Sequence, residues 1–425
     1  MAFNILEHVA LAYQPVWGSN RQLVGVRLQV RALNPESVDA AHLLHWLETE
    51  WFDESPRLLV SFADTELLQQ ALGLTPQPSI WLELPAWQDD LPADWARTVA
   101  LALGHGHVLV QNATLAQAKL GLSRGRGPER YVLQLQADQI EQALQAAQQS
   151  QAMAAGQLPR ADASGMGQHR PGLVRSPVLA NQLYEHVGTR ALAAHCLDEQ
   201  RAWGMCGWPM LDTLEPYRLH GVPVDRLTLV RVQQALLHER PMDVVENLIL
   251  QDPVLTYRVL QLVNSSVFGA SREVNTIRQA LMLLGQKILR DWLLELMPGA
   301  SSDRDLVPVR QTMVLRAQLM TYLMDAGAQA ELGTEIYVTG LFSQLHLLLH
   351  EPPLKMLQRL PIPERMVDAL LRHSGPYFPY LDLARRLEQF QTPERVLGAC
   401  EEYQFPLDTV NRALLRMLAR WRNQL

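Results

Sequence analysis

Cysteine is scarce in this sequence, and its spacing argues against several kinds of site. Only Cys196, Cys206 and Cys400 occur, and they form neither a CxxC pair nor a zinc-finger pattern. An odd and sparse set of cysteines is typical of free thiols in a reducing cytoplasm. We therefore expect no disulfide framework in this chain.

A basic excess and long apolar runs are also lacking. The chain has 37 Lys and Arg against 44 Asp and Glu, a formal net charge of −7, whereas general nucleic-acid binders usually carry a basic excess. No apolar run reaches the roughly 18 residues that span a bilayer. The first residues have no basic segment and carry Glu7 in their apolar run, unlike a signal peptide. We expect a cytoplasmic protein with no membrane partner and no general nucleic-acid binding.

The composition that remains is that of a globular protein. Hydrophobic residues make up 48% and charged residues 19% of the 425 positions, which leaves no large disordered share. A chain of this length exceeds one ordinary core, so two domains are expected.

Strand and helix patterns alternate in the first half. LVGVRLQV (23–30) places Val24, Val26, Leu28 and Val30 on one face, which is strand periodicity. Further candidate strands are SIWLEL (79–84), HVLVQ (107–111), YVLQLQ (131–136) and GLVRSPV (172–178), and candidate helices cover 40–52 and 137–155. This order predicts a parallel α/β sheet or barrel. Residues 156–172, rich in Gly, Pro and Ala, predict a long loop or surface insertion.

The second half shows helical periodicity throughout. The candidate helices are 225–238, 241–250, 253–264, 276–284, 286–296, 309–325, 335–349, 363–372, 379–390, 393–403 and 406–422. Asn275 or Thr276 can cap the helix that follows, and Gly285 is suited to end it. No clear strand pattern follows residue 220, so we expect an all-helical domain.

The stretch QDPVLTYRVLQLVNSSVFG (251–269) contains the most specific helix start and stop signals of this half. Asp252 suits a helix N-cap and Pro253 the first helical position. The Asn264-Ser265-Ser266 end indicates a tight turn or a site. Asn readily adopts the left-handed conformation that ends a helix, so a structural corner at Asn264 is expected, with a ligand contact as the alternative.

This stretch, followed by VNTIRQALMLLGQKILRDWLLEL, resembles the HDOD family, a helical relative of the HD metal-dependent phosphohydrolases that has lost the metal ligands. The hallmark positions that match are Asp252, Pro253, Asn264, Ser265 and Gly285. The resemblance implies a metal-free HDOD domain over 215–410, with a C-terminal helix (411–425) packed on it.

The first half resembles a degenerate EAL domain, the fold of cyclic dimeric GMP phosphodiesterases. LAYQPVWGSNRQLVGVRLQVR (11–31) follows that family's Y-Q-P-I and G-x-E-A-L-x-x-R motifs, and RALAAHCLDEQRAWGMCGWP (190–209) is similar to its A-E-G-V-E helix. The resemblance implies a degenerate (β/α) barrel over 1–210, near the lower size limit of that fold.

The ligands that an EAL site needs for two divalent cations are replaced in this sequence. The motif glutamate falls on Val26 and the A-E-G-V-E glutamate on His195, while only Asp162 remains for the usual Asp pair. We therefore expect no catalytic residue, no metal and no cofactor. Gln14 and Arg31 match positions that contact the cyclic dinucleotide, and they are either weak contact candidates or structural remnants.

The HD-type site is also altered. The segment GLFSQLHLLLHEP (340–352) has Ser343-Gln344 where the family of enzymes has its His-Asp pair. His346 and His350 are spaced to share a helix face, but no acidic residue lies between them, so half-buried histidines are expected rather than a metal site. The loop SRGRGPER (123–130) offers arginines to a phosphate, yet it lacks the P-loop order, and a solvated turn is the expected structure.

Three functions remain open on the sequence. The first is a non-enzymatic signalling protein that acts as an interaction platform for regulatory proteins of unknown identity. The second is a cyclic dimeric GMP receptor that binds without hydrolysis, and the third is a phosphohydrolase with an atypical site.

Overall fold

Eight strands close into a barrel in the first half of the chain. The computed structural model describes residues 4–86, 94–125, 127–155, 174–265, 274–324 and 330–421. The strands are β1 (Val9–Trp17), β2 (Leu23–Ala32), β3 (Arg57–Phe62), β4 (Ile80–Leu84), β5 (Leu109–Ala113), β6 (Arg130–Leu133), β7 (Leu183–Glu185) and β8 (Gly204–Cys206). Their order in the barrel follows the sequence, so the expected α/β barrel is confirmed as a fold.

Strand direction is mixed in this barrel. Each neighbouring pair from β3 to β8 is parallel. The closing pair of β1 and β8 is antiparallel, with Val16 opposite Cys206. Helices connect the parallel strands, as a parallel pair requires: α1 (Ala40–Glu50), α2 (Thr65–Leu72), α3 (Trp95–His105), α4 (Leu115–Arg124), α5 (Ala137–Ala154) and α6 (Arg190–Ala194), with α7 (Met210–Leu214) after β8.

Alternation along the strands builds two apolar layers. Inside the barrel, Val110, Val132 and Leu183 pack in one cluster. On the outer face, Leu133 and Tyr184 pack with residues of the surrounding helices. Neighbouring residues of a strand point to opposite faces, so β6 and β7 contribute to both layers.

Helices are the regular elements of the described residues after 220, where an isolated parallel bridge joins Asp225 to Ser301. The helices are α8 (Arg226–Leu237), α9 (Met242–Leu250), α10 (Pro253–Val263), α11 (Ile277–Leu296), α12 (Leu306–Met324), α13 (Ala330–Phe342), α14 (Leu345–Leu349), α15 (Pro353–Leu357), α16 (Glu364–Val367), α17 (Phe378–Leu387), α18 (Glu394–Tyr403) and α19 (Leu407–Ala419). Within this half, α12 packs against α13, α17 and α19. No described helix is long and apolar enough to cross a membrane.

The chain divides into two compact units that are not continuous in sequence. One unit contains residues 14–29 and 39–212, and the other contains the described parts of 1–13, 30–38 and 213–422. Asn411 of α19 is fully buried in the second unit, where its Nδ2 donates to the backbone oxygens of Leu6 at 2.9 Å and Val9 at 2.7 Å. Residues near the start of the sequence thus pack on α19.

Two local predictions need correction. Residues 174–178 of the predicted strand at 172–178 are irregular, and the strand at this point of the barrel is β7, after the polar Asn181 and Gln182. The predicted helix over 335–349 is two helices, α13 and α14. The predicted loop at 156–172 lies outside the described residues, apart from its flanks.

Candidate functional site

Alternation along the strands also decides which polar side chains enter the barrel. The interior cluster includes Trp81 of β4, Leu183 of β7 and Cys206 of β8. Because side chains two residues apart in a strand share a face, Glu83 and Glu185 also point inward. Glu83 is the penultimate residue of β4, and Glu185 is the last residue of β7. Both carboxylates lie at the carboxyl ends of parallel strands, where (β/α)₈ barrels form their active sites.

A buried arginine joins these two carboxylates. Arg27 donates through Nε to Glu83 at 2.6 Å and through Nη1 to Glu185 at 2.7 Å. A bond from Nη2 makes the contact with Glu83 bidentate, and Gln14 Oε1 lies 3.4 Å from Nη1. The Arg27 and Glu83 side chains are only 5% and 4% exposed, so water screens this pair little.

Burial and the neighbouring carboxylates act in opposite directions on the pKa of Arg27. Burial lowers the pKa of the guanidinium, but the charge and hydrogen bonds of Glu83 raise it more, so the pKa lies above its ordinary value. Burial also raises the pKa of the Cys206 thiol to about 12. At neutral pH the barrel end therefore combines a cationic guanidinium and a neutral thiol with two carboxylates.

The positive charge beside the two carboxylates is the Arg27 guanidinium. A divalent cation needs several oxygen ligands, whereas Arg27 already occupies both carboxylates. Among the residues described, no group of three or more His, Cys, Asp or Glu is placed to hold a metal ion. A metal at this end of the barrel would have to displace the guanidinium.

The sequence analysis missed Arg27 and its two partners, Glu83 and Glu185. The motif comparison aligns the missing glutamate with Val26, which is fully buried in β2. The next residue, Arg27, is the one that binds Glu83 and Glu185. The sequence did contain a signal for an interior Arg27. Gly25 and Arg27 share one face of the predicted strand, and one face of every barrel strand points into the barrel.

Gln14 and Arg31, the two candidate contacts for a cyclic dinucleotide, have different partners. Gln14 contacts Arg27 at the barrel end. Arg31 forms an ion pair with Glu394 at 3.2 Å, and the two side chains are 52% and 49% exposed. The two residues belong to different compact units, and their contact with a cyclic dinucleotide stays a prediction.

His195 is buried in a π-helical turn that continues α6. Its Nε2 lies 2.8 Å from Ser176 Oγ, and its Nδ1 lies 2.8 Å from Glu199 Oε2. Because both ring nitrogens have partners, the imidazole ties residues 174–178 to this helix. Asp162, the remaining candidate of the sequence analysis, lies outside the described residues.

A second buried arginine stands beside Ser343 in the helical unit. Arg316 donates to Ser343 Oγ at 2.8 Å and holds Glu388 through Nε at 2.9 Å and through Nη2. Burial lowers the pKa of Arg316, but the charge and hydrogen bond of Glu388 raise it more, and the net shift is upward. Ser343, which the sequence analysis aligned with the His-Asp pair of HD enzymes, thus accepts a hydrogen bond from the arginine of an arginine–glutamate ion pair.

His346 and His350 do not share a helix face, contrary to the spacing argument. α14 ends at Leu349, and His350 adopts a left-handed conformation with φ of 50°. Its Nε2 lies 3.2 Å from the backbone oxygen of Leu214. Burial and, after it, the charge of Arg385 lower the pKa of His346. The i,i+4 relation fails because the helix stops one residue too early.

Asp252 caps α10 and does more than an exposed cap would. Its Oδ1 accepts hydrogen bonds from the backbone N–H groups of Val254 at 2.8 Å and Leu255 at 3.1 Å. Its Oδ2 accepts from the Asp225 N–H at 2.6 Å and lies 3.7 Å from Arg310 Nε. The predicted cap is confirmed, with Pro253 at the first helical position.

Asn264 forms a corner, although not by the backbone conformation expected. Its φ of −93° and ψ of 5° lie outside the left-handed region. Its Nδ2 instead donates to the backbone oxygens of Leu260 and Val274, both at 2.7 Å, and its Oδ1 accepts from the Val274 N–H at 3.0 Å. Ser265 Oγ donates to the Leu262 oxygen at 2.7 Å. The amide therefore ties the end of α10 to the residue that leads into α11.

Comparison with known proteins identifies the helical region. The family model described as "HDOD domain" matches residues 223–346, so this part of the chain is an HDOD domain. The barrel that precedes it is a closed eight-stranded α/β barrel.

Two curated proteins are similar over part of their length. "Uncharacterized protein YuxH" of Bacillus subtilis (strain 168) is 29% identical over 150 residues, which cover 34% of this chain and 36% of that protein. "Cyclic di-GMP phosphodiesterase CdgJ" of Vibrio cholerae serotype O1 is 28% identical over 177 residues, 42% of this chain and 40% of that protein. The chain thus aligns with less than half of each relative.

Two solved structures are also similar to parts of the chain. The MmoQ response regulator from Methylococcus capsulatus str. Bath is 18% identical and covers 46% of this chain and 98% of its own, with a TM-score of 0.38. An HDOD domain protein from Geobacter sulfurreducens is 18% identical and covers 49% of this chain and 92% of its own, with a TM-score of 0.18.

Proposed function

We propose that this chain is a non-enzymatic signalling protein in which a degenerate EAL-like barrel and a metal-free HDOD domain form a platform for regulatory protein partners. The observation that carries the proposal is the buried Arg27 between Glu83 and Glu185 at the barrel end. Phosphodiester hydrolysis by two metal ions needs free carboxylates, and here Arg27 is already bound to both Glu83 and Glu185.

The helical unit supports the same proposal by an independent contact. Arg316 is buried and bound to both Ser343 and Glu388. An HD-type centre needs histidine and carboxylate ligands that face an open position. Here Ser343 instead binds Arg316, which is paired with Glu388, and this contact supports the absence of an HD-type metal centre.

The surface of the HDOD domain supports the role in protein binding. α11 exposes four large apolar side chains, of which Met282 is 76% and Leu294 is 55% exposed. Groups of exposed apolar side chains on a soluble domain are typical of protein–protein contacts. α11 lies against α8 and α9, each of which also exposes apolar residues, among them Leu237 and Val244.

A hydrolysis assay tests the absence of catalysis. Purified protein is incubated with cyclic dimeric GMP and Mg²⁺ or Mn²⁺, and the linear product is separated by chromatography. We expect no turnover above a buffer control. Turnover that Glu83→Gln or Glu185→Gln abolishes would refute the proposal and favour a phosphohydrolase with an atypical site.

Binding of cyclic dimeric GMP without hydrolysis is the second candidate. It is favoured by the similarity to a protein named as a cyclic di-GMP phosphodiesterase and by the position of Gln14 at the barrel end. Glu83 and Glu185 oppose it, because their carboxylates repel phosphate groups. Calorimetric titration with cyclic dimeric GMP separates the two candidates. Saturable binding that is weakened both by Gln14→Ala and by Arg31→Ala would establish that the chain is a cyclic dimeric GMP receptor.

A partner assay tests the platform itself. Tagged protein and a Met282→Glu/Leu294→Glu variant are used for capture from the native cell, and the bound proteins are compared by mass spectrometry. We expect specific partners that the variant loses. Glu295→Gln on the same helix is the control, since Glu295 is exposed and polar. Identical captures with all three proteins would remove α11 from the proposed surface.

A further inference from the structure

The barrel carries another cationic arrangement at the opposite ends of its strands. Arg130 is the first residue of β6, Trp81 is the second residue of β4, and Trp203 immediately precedes β8. The Arg130 ζ-carbon lies 4.7 Å from the centroid of the Trp81 ring and 5.9 Å from that of Trp203. The two indole rings are 4.7 Å apart and tilted by 45°. The guanidinium is therefore held by aromatic faces at the amino ends of the strands.

Arg130 differs from the other arginines that are buried in this barrel. Arg21 is paired with Asp198 and Arg27 with Glu83. Within the described part of the chain, no carboxylate pairs with the Arg130 guanidinium, which is half-buried. An aromatic ring stacks on the flat face of a guanidinium. The N–H groups lie in the guanidinium plane, so they can still donate two hydrogen bonds to a phosphate or carboxylate. The donors of Arg130 are thus available to an anion.

A cavity of about 650 Å³ opens beside this arginine, and both Arg130 and Trp203 line it. That volume is within the range of small-molecule sites. Gly125 and Gly127 lie on its wall with open space where a side chain would stand, and Gly125 has a φ of +62°. Glu129, which is exposed, is the acidic residue of the lining.

Gln182, a further polar residue of the wall, is already engaged. Gln182 accepts from the Tyr131 N–H at 2.7 Å through Oε1, and its Nε2 donates to the backbone oxygens of Glu129 at 3.3 Å and Ala180 at 3.2 Å. Gln182 therefore shapes the cavity and has no donor left for a ligand. Among the described lining residues, Arg130 and the indole of Trp203 are the groups on which the recognition proposed below rests, and the exposed Asn181 also lies on the wall.

We propose that this cavity binds a compact organic anion, with its phosphate or carboxylate on Arg130 and its planar ring beside Trp203. A nucleotide and an aromatic carboxylate share this chemistry. The site goes beyond the proposed platform function, since it lies at the strand ends opposite to Arg27.

Calorimetric titrations of the full chain with adenosine 5′-monophosphate, benzoate, adenosine and inorganic phosphate test the proposal. We expect one-to-one binding of the nucleotide or of benzoate, and the one that binds identifies the source of the anion. Adenosine should bind at least about tenfold more weakly than its monophosphate, because a bidentate charged contact is lost. Absence of binding by both anions would overturn the proposal, and phosphate binding as tightly as the nucleotide would overturn the ring contact.

Single-residue variants decide whether Arg130 is responsible. Arg130→Gln should weaken the bound anion by about tenfold or more, and Arg124→Gln should leave its affinity unchanged, because Arg124 is exposed and outside the lining. Glu129→Gln should strengthen binding by removing a like charge, a gain that loss of folding cannot produce. Equal affinity of the wild type and Arg130→Gln would overturn the assignment.

Discussion

The buried positive charge of Arg27 is stabilised by the carboxylates of Glu83 and Glu185. Replacing it by Met should destabilise the protein by about 3–5 kcal/mol, because Glu83 and Glu185 are left as uncompensated charges. Chemical denaturation measures this loss. Arg31→Met is the matched control, since its ion pair is exposed and should contribute less than about 1 kcal/mol.

The combined variant Arg27→Met/Glu83→Leu/Glu185→Leu should recover much of that loss, because removal of a whole buried ion pair is often neutral. An Arg27→Met protein as stable as the wild type would show that water reaches these carboxylates. It would also remove the electrostatic basis for the absence of a metal.

Asn264 makes three hydrogen bonds through its side-chain amide. Asn264→Ala should cost about 1–3 kcal/mol, because the backbone groups of Val274 lose their partner. Ser265→Ala removes a single bond and should cost less. A corner predicts that Asn264→Ala weakens every interaction of the HDOD domain in proportion to its stability. An unchanged melting temperature with selective loss of one partner would instead identify a contact residue.

At the residue scale, local roles could be predicted from the sequence and long-range partners could not. The cap by Asp252 depends on residues two and three positions away, so the local pattern was sufficient. The partners of Arg27 lie 56 and 158 positions away. No periodicity encodes such a pair, because only the closure of the barrel brings these strands together.

At the scale of elements, length determines what the sequence reveals. Long helices such as α12 and α19 repeat their apolar pattern over several turns, and their predicted positions agree with the structure. β7 and β8 have three residues each, which is too short for an alternating pattern to be recognised. The predicted strand near β7 was therefore misplaced, and β8 was found only as part of a family motif.

Gly285 interrupts α11 with a φ of 65° and a ψ of 166°, which separates the two helices predicted at 276–284 and 286–296. Gly285→Ala should cost about 1–3 kcal/mol, because this backbone region is strained for residues with a side chain. A steric clash does not contribute, since the space around the added carbon is open. Thermal unfolding measures the effect. Gly333→Ala, inside α13 and also in open space, should be neutral or stabilising by up to about 1 kcal/mol; a Gly285→Ala protein that behaves likewise would show that the interruption is not strained.

At the scale of the whole molecule, the order of domains followed from the sequence, but the composition of the units did not. The break at 212–213 falls between the predicted domains 1–210 and 215–410. Residues 4–13 and 30–38 nevertheless group with the helices. The predicted strand ends at Val30, and its periodicity carries no information about the helix on which these residues pack.

A fragment of residues 213–425 should therefore be helical but less stable than the same unit in the full chain. Without Leu6 and Val9, the buried Nδ2 of Asn411 has no acceptor, and an unsatisfied buried group costs about 1–3 kcal/mol. Circular dichroism during chemical denaturation compares the two. Asn411→Ala in the full chain should reproduce part of the difference. A fragment with the same cooperative transition as the full chain would mean that the first residues add nothing to this unit.

The bonds of Asn411 also set an order of assembly during translation. They join residues that are 402 and 405 positions apart. A ribosome that adds about 5–20 residues per second needs on the order of 20–80 seconds to synthesise that interval. During this period the carbonyl groups of Leu6 and Val9 lack their donor, Asn411. The residues of the barrel have by then already left the ribosome. The helical unit is therefore the last to complete its contacts, and its apolar faces stay exposed longest during synthesis.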